Sequence, residues 1–310
     1  MLRWKLLLLG SVWLIPSSWL SSTVAMAVAG ILVLLVGIPH GATDHVIFNV
    51  LKQRHVKQSV PITFLLGYLG IMLVYLLLWW WQPGLSLIIF LVISAYHFGE
   101  TQLIRSPKAE VGNQYLYLSW GLFLLAALLL FHIDEVATLL VPLVGVPAFF
   151  DWLAQHTVTL LAFAGANLVI TWSWQAWRAG DFQFLGWQAL EIVVLLLLLW
   201  RTPVLVGFAL FFALWHSRDA TLEQLARFRA LQPLITLQQW VKMALPYTLM
   251  SLVGIATLIG IWQVYQVAIS PVTVFFVGVS LLTMPHILLI YRFYQLPSSV
   301  TDPNSMAAAQ

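Results

Sequence analysis

The sequence predicts an all-α, polytopic transmembrane helical bundle of about 8–10 membrane segments. Three observations carry that prediction. Of 310 residues, 61% are hydrophobic and only 8% are charged, whereas a soluble domain carries roughly 25% charged residues. So few charges cannot cover a water-facing surface, so lipid must be the solvent for most of the chain. Apolar runs near the length of a bilayer crossing recur from end to end. Tryptophan and tyrosine, which anchor helix ends at the membrane interface, number 16 and 9.

Ten candidate segments follow in order: Trp4–Leu20, Ser22–Ile38, Ile62–Trp81, Leu85–Phe98, Tyr115–Phe131, Val158–Trp177, Phe184–Trp200, Pro203–Trp215, Leu245–Tyr265 and Val272–Tyr291. The first contains Pro16 and two serines. The fourth and eighth are short unless they continue past their histidine. Arg3 and Lys5 ahead of Leu6–Leu9 have the look of a signal peptide, but no small-x-small cleavage site precedes the next apolar run, and a retained first helix is expected. The stretch Val136–Phe150, broken by Pro142 and Pro147, is expected to be interfacial or re-entrant. Ser217–Lys242 reads as a helix continuing past the membrane. The expected organisation is one integral membrane domain over residues 1–310, with 1–21 an added N-terminal helix and 298–310 a disordered tail.

Charge placement gives an orientation. With both termini cytoplasmic, Arg3, Lys5, Lys52, Arg54, Lys57, Arg105, Lys108, Arg178, Arg218, Arg227, Arg229, Lys242 and Arg292 fall inside, and Arg201 alone falls outside. That asymmetry is what the positive-inside rule demands. The expected location is the cell's inner (plasma) membrane. The basic residues form no run or stripe, so a nucleic-acid partner is not expected. Cysteine is absent, which excludes disulfides, thiolate metal sites and cysteine nucleophiles.

Histidines are the chemically informative residues. His40, His97 and His216 end the second, fourth and eighth segments, and His286 lies within about two turns of the end of the tenth. All four belong to returning helices, so the topology puts them at similar depth near one face. Ionisable groups at membrane depth are costly and usually face a cavity or a partner. His45, His55, His132 and His156 read as ordinary loop or interfacial residues. Neutral imidazoles bind iron, copper or zinc. Three or four of them without a thiolate would suit ferrous iron with positions open for dioxygen. Asp44, Glu100, Asp219 and Glu223 stand close enough in sequence to orient the rings, or are headgroup-level charges. Gly37, Gly41 and Gly99 would permit a close approach or cap helices.

The residues carrying the histidines resemble a known family. Gly37-Ile-Pro-His-Gly-Ala-Thr-Asp44 looks like the G-x-PHGA-x-D motif of the Brp/Blh family of bacterial and archaeal membrane β-carotene 15,15′-dioxygenases. Tyr96–Glu100 looks like its HFG motif, Leu214–Asp219 like its histidine-serine-arginine stretch, and Met284–Tyr291 like its final PH segment. The similarity runs from the second segment to the tenth. It implies a helical membrane enzyme that uses Fe(2+), held by His40, His97 and His216, to cleave β-carotene or a related carotenoid with molecular oxygen at the central double bond. The retinal product would pass to a rhodopsin. The family's fourth histidine, four positions after the one matching His216, falls on Ala220 here. Asp219 or His286 is the expected additional ligand, unless three imidazoles suffice, and Asp44, Glu100 and Glu223 are the expected outer partners. An acidic residue shortly after HFG in the family appears as Gln102.

Two other classes fit the same composition. A polytopic transporter would place polar residues along a path through the bilayer, but here the middles of the segments are almost entirely Leu, Val and Ile. A catalytically silent carotenoid- or retinal-binding homologue would share every motif and differ only in turnover.

Overall fold

A computed structural model describes residues 2–52, 59–103, 114–180, 182–231, 236–266 and 269–296. The 298–310 tail, His55 and the basic residues Arg54, Lys57, Arg105 and Lys108 lie outside the described residues. The described residues are mainly helical, with no strand among them. In chain order the helices are α1 (Leu2–Leu14), α2 (Ser17–Leu20), α3 (Thr23–Leu32), α4 (Ile38–Gly41), α5 (Asp44–Leu51), α6 (Ile62–Trp81), α7 (Pro83–Leu103), α8 (Gln114–Leu130), α9 (Ile133–Val144), α10 (Pro147–Gln155), α11 (Thr157–Ala179), α12 (Phe182–Arg201), α13 (Val204–Leu210), α14 (Arg218–Leu231), α15 (Leu237–Tyr265) and α16 (Pro271–Tyr294). Two π-helical stretches, Val33–Gly37 and Phe211–Ser217, join α3 to α4 and α13 to α14.

Local chemistry sets these bounds. Pro16 separates α1 from α2, because proline cannot donate to the helix ladder. Ser22 caps α3 by accepting from the Ala25 amide at 3.2 Å. Thr236 and Gln239 form a reciprocal capping box ahead of α15, and Ser270 accepts from the Thr273 amide ahead of α16. Both satisfy amides that a helix start leaves without internal partners. Gly145 (φ 72°) and Gly180 (φ 62°) close α9 and α11 in the left-handed conformation that glycine adopts freely.

The protein is a multi-pass membrane protein. Among the described residues, six stretches are long and apolar enough to cross a bilayer: Thr23–Leu51, Ile62–Trp81, Pro83–Leu103, Thr157–Arg178, Leu237–Tyr265 and Pro271–Tyr294. The pair α8 and α9, bent by 94°, adds a seventh if counted as one broken span. This is fewer than the ten candidate segments. Helix α1 is only 13 residues long, α12 carries Gln183, Gln188, Glu191 and Arg201 among its apolar residues, and the eighth segment is divided between α13 and a π-helical stretch. The fourth segment does continue past its histidine, to Leu103. The Val136–Phe150 stretch forms α9 and the start of α10.

The chain divides into two compact units, Met1–Val33 with Leu91–His216, and Leu34–Phe90 with Ser217–Gln310. In the first, α8 is central. It packs on α11, α12, α13 and α9 and buries residues on every side, from Leu116 to Leu130. A helix apolar all round belongs in an interior. In the second, α16 is central, packed on α15, α6, α5 and α4. The Trp79 indole donates to Ser280 Oγ at 3.0 Å and satisfies the polar group of a buried ring.

Candidate metal centre

Within the first unit, His97 on α7 and His216 on the second π-helical stretch are both buried. Their ring centroids lie 4.8 Å apart at 76°. What brings α7 in this close is a glycine contact. A Cβ on Gly99 would fall on the backbone carbonyl of Tyr117, and one on Gly121 would fall on that of Ala95. Only glycine tolerates such an approach of two helix backbones. Gly99 thus serves the close approach, not a cap.

Aromatic rings surround this histidine pair. Phe98 lies 4.7 Å from the His216 ring and 5.1 Å from Phe211, and Phe212 stacks on His216 at 5.7 Å. All three phenylalanines are buried, as is Trp215, which meets Trp4 at 5.5 Å. The π-helical turn matters here because an extra residue per turn re-aims side chains, and such turns concentrate at functional sites. Glu100 is buried and accepts from the Tyr96 hydroxyl at 3.3 Å.

A polar chain that sequence reasoning missed lies in the same unit. Lys5, fully buried on α1, donates to Glu191 at 2.9 Å and sits 4.9 Å from the Trp215 ring. Gln102 also donates to Glu191, at 2.5 Å. Lys5 had counted as a flanking charge. Its burial had one legible signal, the lone glutamate amid the apolar run of α12.

Within the second unit, His40 and His286 each follow a proline, Pro39 and Pro285, and both are buried. Pro39 carries no amide hydrogen, and the π-helical stretch Val33–Gly37 lies immediately before it. His40 Nδ1 bonds the Gly37 carbonyl. A carbonyl only accepts, so Nδ1 carries the hydrogen and Nε2 keeps the lone pair. Metal-binding imidazoles are commonly held in that way, through the second nitrogen.

Asp44 meets other partners than His40 among the described bonds. It accepts from His286 Nδ1 at 2.7 Å and from the Tyr68 hydroxyl at 2.9 Å, with the His40 and His286 rings edge to face at 5.0 Å. Tyr68 went unnoticed in the sequence, although a hydroxyl in mid-span must find a partner. Asp219 pairs with Arg218 at 2.8 Å, and Glu223 with Arg227 at 3.0 Å. Ala220, the position of the resembled family's fourth histidine, is buried. Thr43 and Gln224, also unforeseen, bond to each other at 3.0 Å. His45 stacks on Tyr247 at 4.1 Å, while His132 bonds the Leu199 carbonyl and His156 the Trp152 carbonyl.

His97 and His216 in the first unit and His40 in the second are each buried, and neutral imidazoles of this kind hold metal ions. The donor set, all nitrogen and without thiolate, suits iron, copper or zinc.

Comparison with known proteins bears on the same residues. A family model described as Beta-carotene 15,15'-dioxygenase matches residues 31–294. A relative described as Beta-carotene 15,15'-dioxygenase, from uncultured marine bacterium 66A03, is 27% identical over 272 residues, which cover 86% of this chain and 94% of the relative. No solved structure matches.

Proposed function

The chain belongs to the Beta-carotene 15,15'-dioxygenase family, and from that premise we propose that it cleaves β-carotene to retinal at an Fe(2+) centre held by His40, His97 and His216. Membership makes it a carotenoid-cleaving dioxygenase. The metal, the ligand set, the orientation in the membrane and the partners are our own reading. The observation that carries the metal assignment is the group of three buried imidazoles. They come from three of the four motifs, all of which lie within the matched region.

Ferrous iron, when bound, supplies the binding and activation of dioxygen beside the alkene. The chain's residues supply the rest. The Gly37 carbonyl fixes the His40 tautomer so that Nε2 is the donor. Phe98, Phe211 and Phe212 hold the His216 ring in a dry setting, which keeps water from competing for reactive species. Asp44 holds His286 and Tyr68 in one hydrogen-bonded set, Glu100 accepts from Tyr96, and Glu223 pairs with Arg227.

Three imidazoles are the proposed core set. Asp219 is paired with Arg218 and is not assigned as a ligand. His286 donates Nδ1 to Asp44 and keeps Nε2 as a donor, the arrangement that suits a metal-binding imidazole, so it is the proposed additional ligand. The enzyme sits in the inner membrane with both termini cytoplasmic, takes its lipid-dissolved substrate and dioxygen there, and hands retinal to a rhodopsin. Expression in a β-carotene-producing host tests the proposal, with pigment and retinal measured together. Retinal should appear as pigment falls, and intact pigment without retinal would favour the silent carotenoid binder.

A further inference from the structure

An apolar cavity of about 270 Å³ lies wholly within the second unit, among α6, α15 and α16. Its inner wall includes Gly41, Ala42 and Asp44, the residues just after His40. Side walls come from Tyr68, Met72, Met250 and Leu281 among others, and two glycines, Gly254 and Gly278, widen it. The one carboxylate on its surface, Asp44, is engaged by Tyr68 and His286. Leu69 and Met250, on the rim, are 49% and 54% exposed. They stand on two helices that are each long and apolar enough to cross the bilayer. The mouth therefore opens towards lipid.

We propose that this cavity seats one end ring of the carotenoid, and that its mouth between α6 and α15 is the substrate's entry from the bilayer. The proposal rests on the carotenoid-cleavage reading above. Size argues for an end, since sites that enclose a whole drug-sized ligand run to roughly 300–1,000 Å³, and a carotenoid is longer than most such ligands. Wall chemistry argues for an unsubstituted hydrocarbon ring. Asp44 and Tyr68 near the floor already bond each other, and apart from His45, Tyr247 and Ser251 the wall is apolar, so a ring hydroxyl against that apolar wall would lose its water without replacement. Connectivity argues for a link to the chemistry, because the floor is continuous with the His40 turn.

Gly254 gives the test its handle. A Cβ placed there meets nothing within 4 Å, so Gly254→Leu introduces a side chain at the cavity wall from a backbone position with room for it. The probe is a retinal analogue with a photoreactive group on its ring, applied to the intact protein in lipid vesicles and mapped by mass spectrometry. Labelling is expected on α6 and α15 around Met72 and Met250. Excess β-ionone should compete with it, and a straight-chain ketone of equal carbon number should not. Gly254→Leu should cut labelling by roughly 10–200-fold, the range by which a misplaced methylene disfavours a ligand in an apolar pocket, while leaving metal content unchanged. Labelling on other helices, no labelling, or labelling that Gly254→Leu leaves intact overturns the proposal. Ring labelling here in a protein that forms no retinal would sink the cleavage reading alone. Retinal formation with labelling elsewhere would sink the cavity alone.

Discussion

At the scale of single residues, buried polar atoms are expensive unless they are matched, and here the matching shows which groups belong together. Asp44 receives two hydrogen bonds, from His286 and from Tyr68. Removing one donor leaves a buried carboxylate short of a partner. Tyr68→Phe should therefore lower stability by about 1.5–3 kcal/mol, the usual worth of a hydrogen bond to a charged group. Urea unfolding in detergent, followed by tryptophan fluorescence, measures it. Metal content should not change, because neither Tyr68 nor Asp44 is a proposed ligand. The sequence made Asp44 visible as a carboxylate four residues after His40, but not its partner. Helical spacing suggested His40, whereas the chosen partner sits 242 positions away, a distance at which no local pattern speaks. His40, His97 and His216 were legible for a different reason. Each ends an apolar run, and an imidazole there is conspicuous against leucine and valine.

At the scale of elements, two devices position the first unit's histidines, and they differ in legibility. The crossing of α7 and α8 depends on Gly99 and Gly121. Gly99 stood out beside His97, while Gly121 lay unremarked in an apolar helix, because glycine spacing across two helices cannot be paired before the helices are. Gly121→Ala should force the backbones apart, at a cost of about 1–3 kcal/mol or more for overpacking. A lowered melting temperature, with a larger effect for Gly121→Val, would show it. The second device is the Lys5–Glu191 pair joining α1 to α12. Lys5→Ala would leave Glu191 without its cation, and breaking a buried pair costs about 3–5 kcal/mol, whereas replacing both partners by apolar residues can be neutral. The double variant Lys5→Met, Glu191→Leu should thus recover most of the stability lost by Lys5→Ala. Failure to recover would mean that the charges themselves, and not their mutual satisfaction, matter. The pair was hidden in the sequence by a rule that usually works, which assigns a basic residue near the N-terminus to the membrane surface.

At the scale of the whole molecule, composition alone settled the class, because nothing but lipid accommodates 61% hydrophobic residues with 8% charge. The segment count was less readable. Apolar runs do not reveal where a helix bends, as between α8 and α9, or where proline and a π-helical turn loosen one, as ahead of His40. The two π-helical stretches adjoin the His40 and His216 motifs, so hydropathy is least informative at those residues. Family membership supplies the reaction, and the buried imidazoles are the proposed place for a metal. Metal content joins these two statements most directly. Protein purified without oxygen, loaded with ferrous iron and desalted, should retain close to one iron per chain by plasma mass spectrometry. His40→Ala, His97→Ala and His216→Ala should each retain little, while His132→Ala should match the parent. Full iron retention after any of the three ligand substitutions, or no iron in the parent, would contradict the proposed centre.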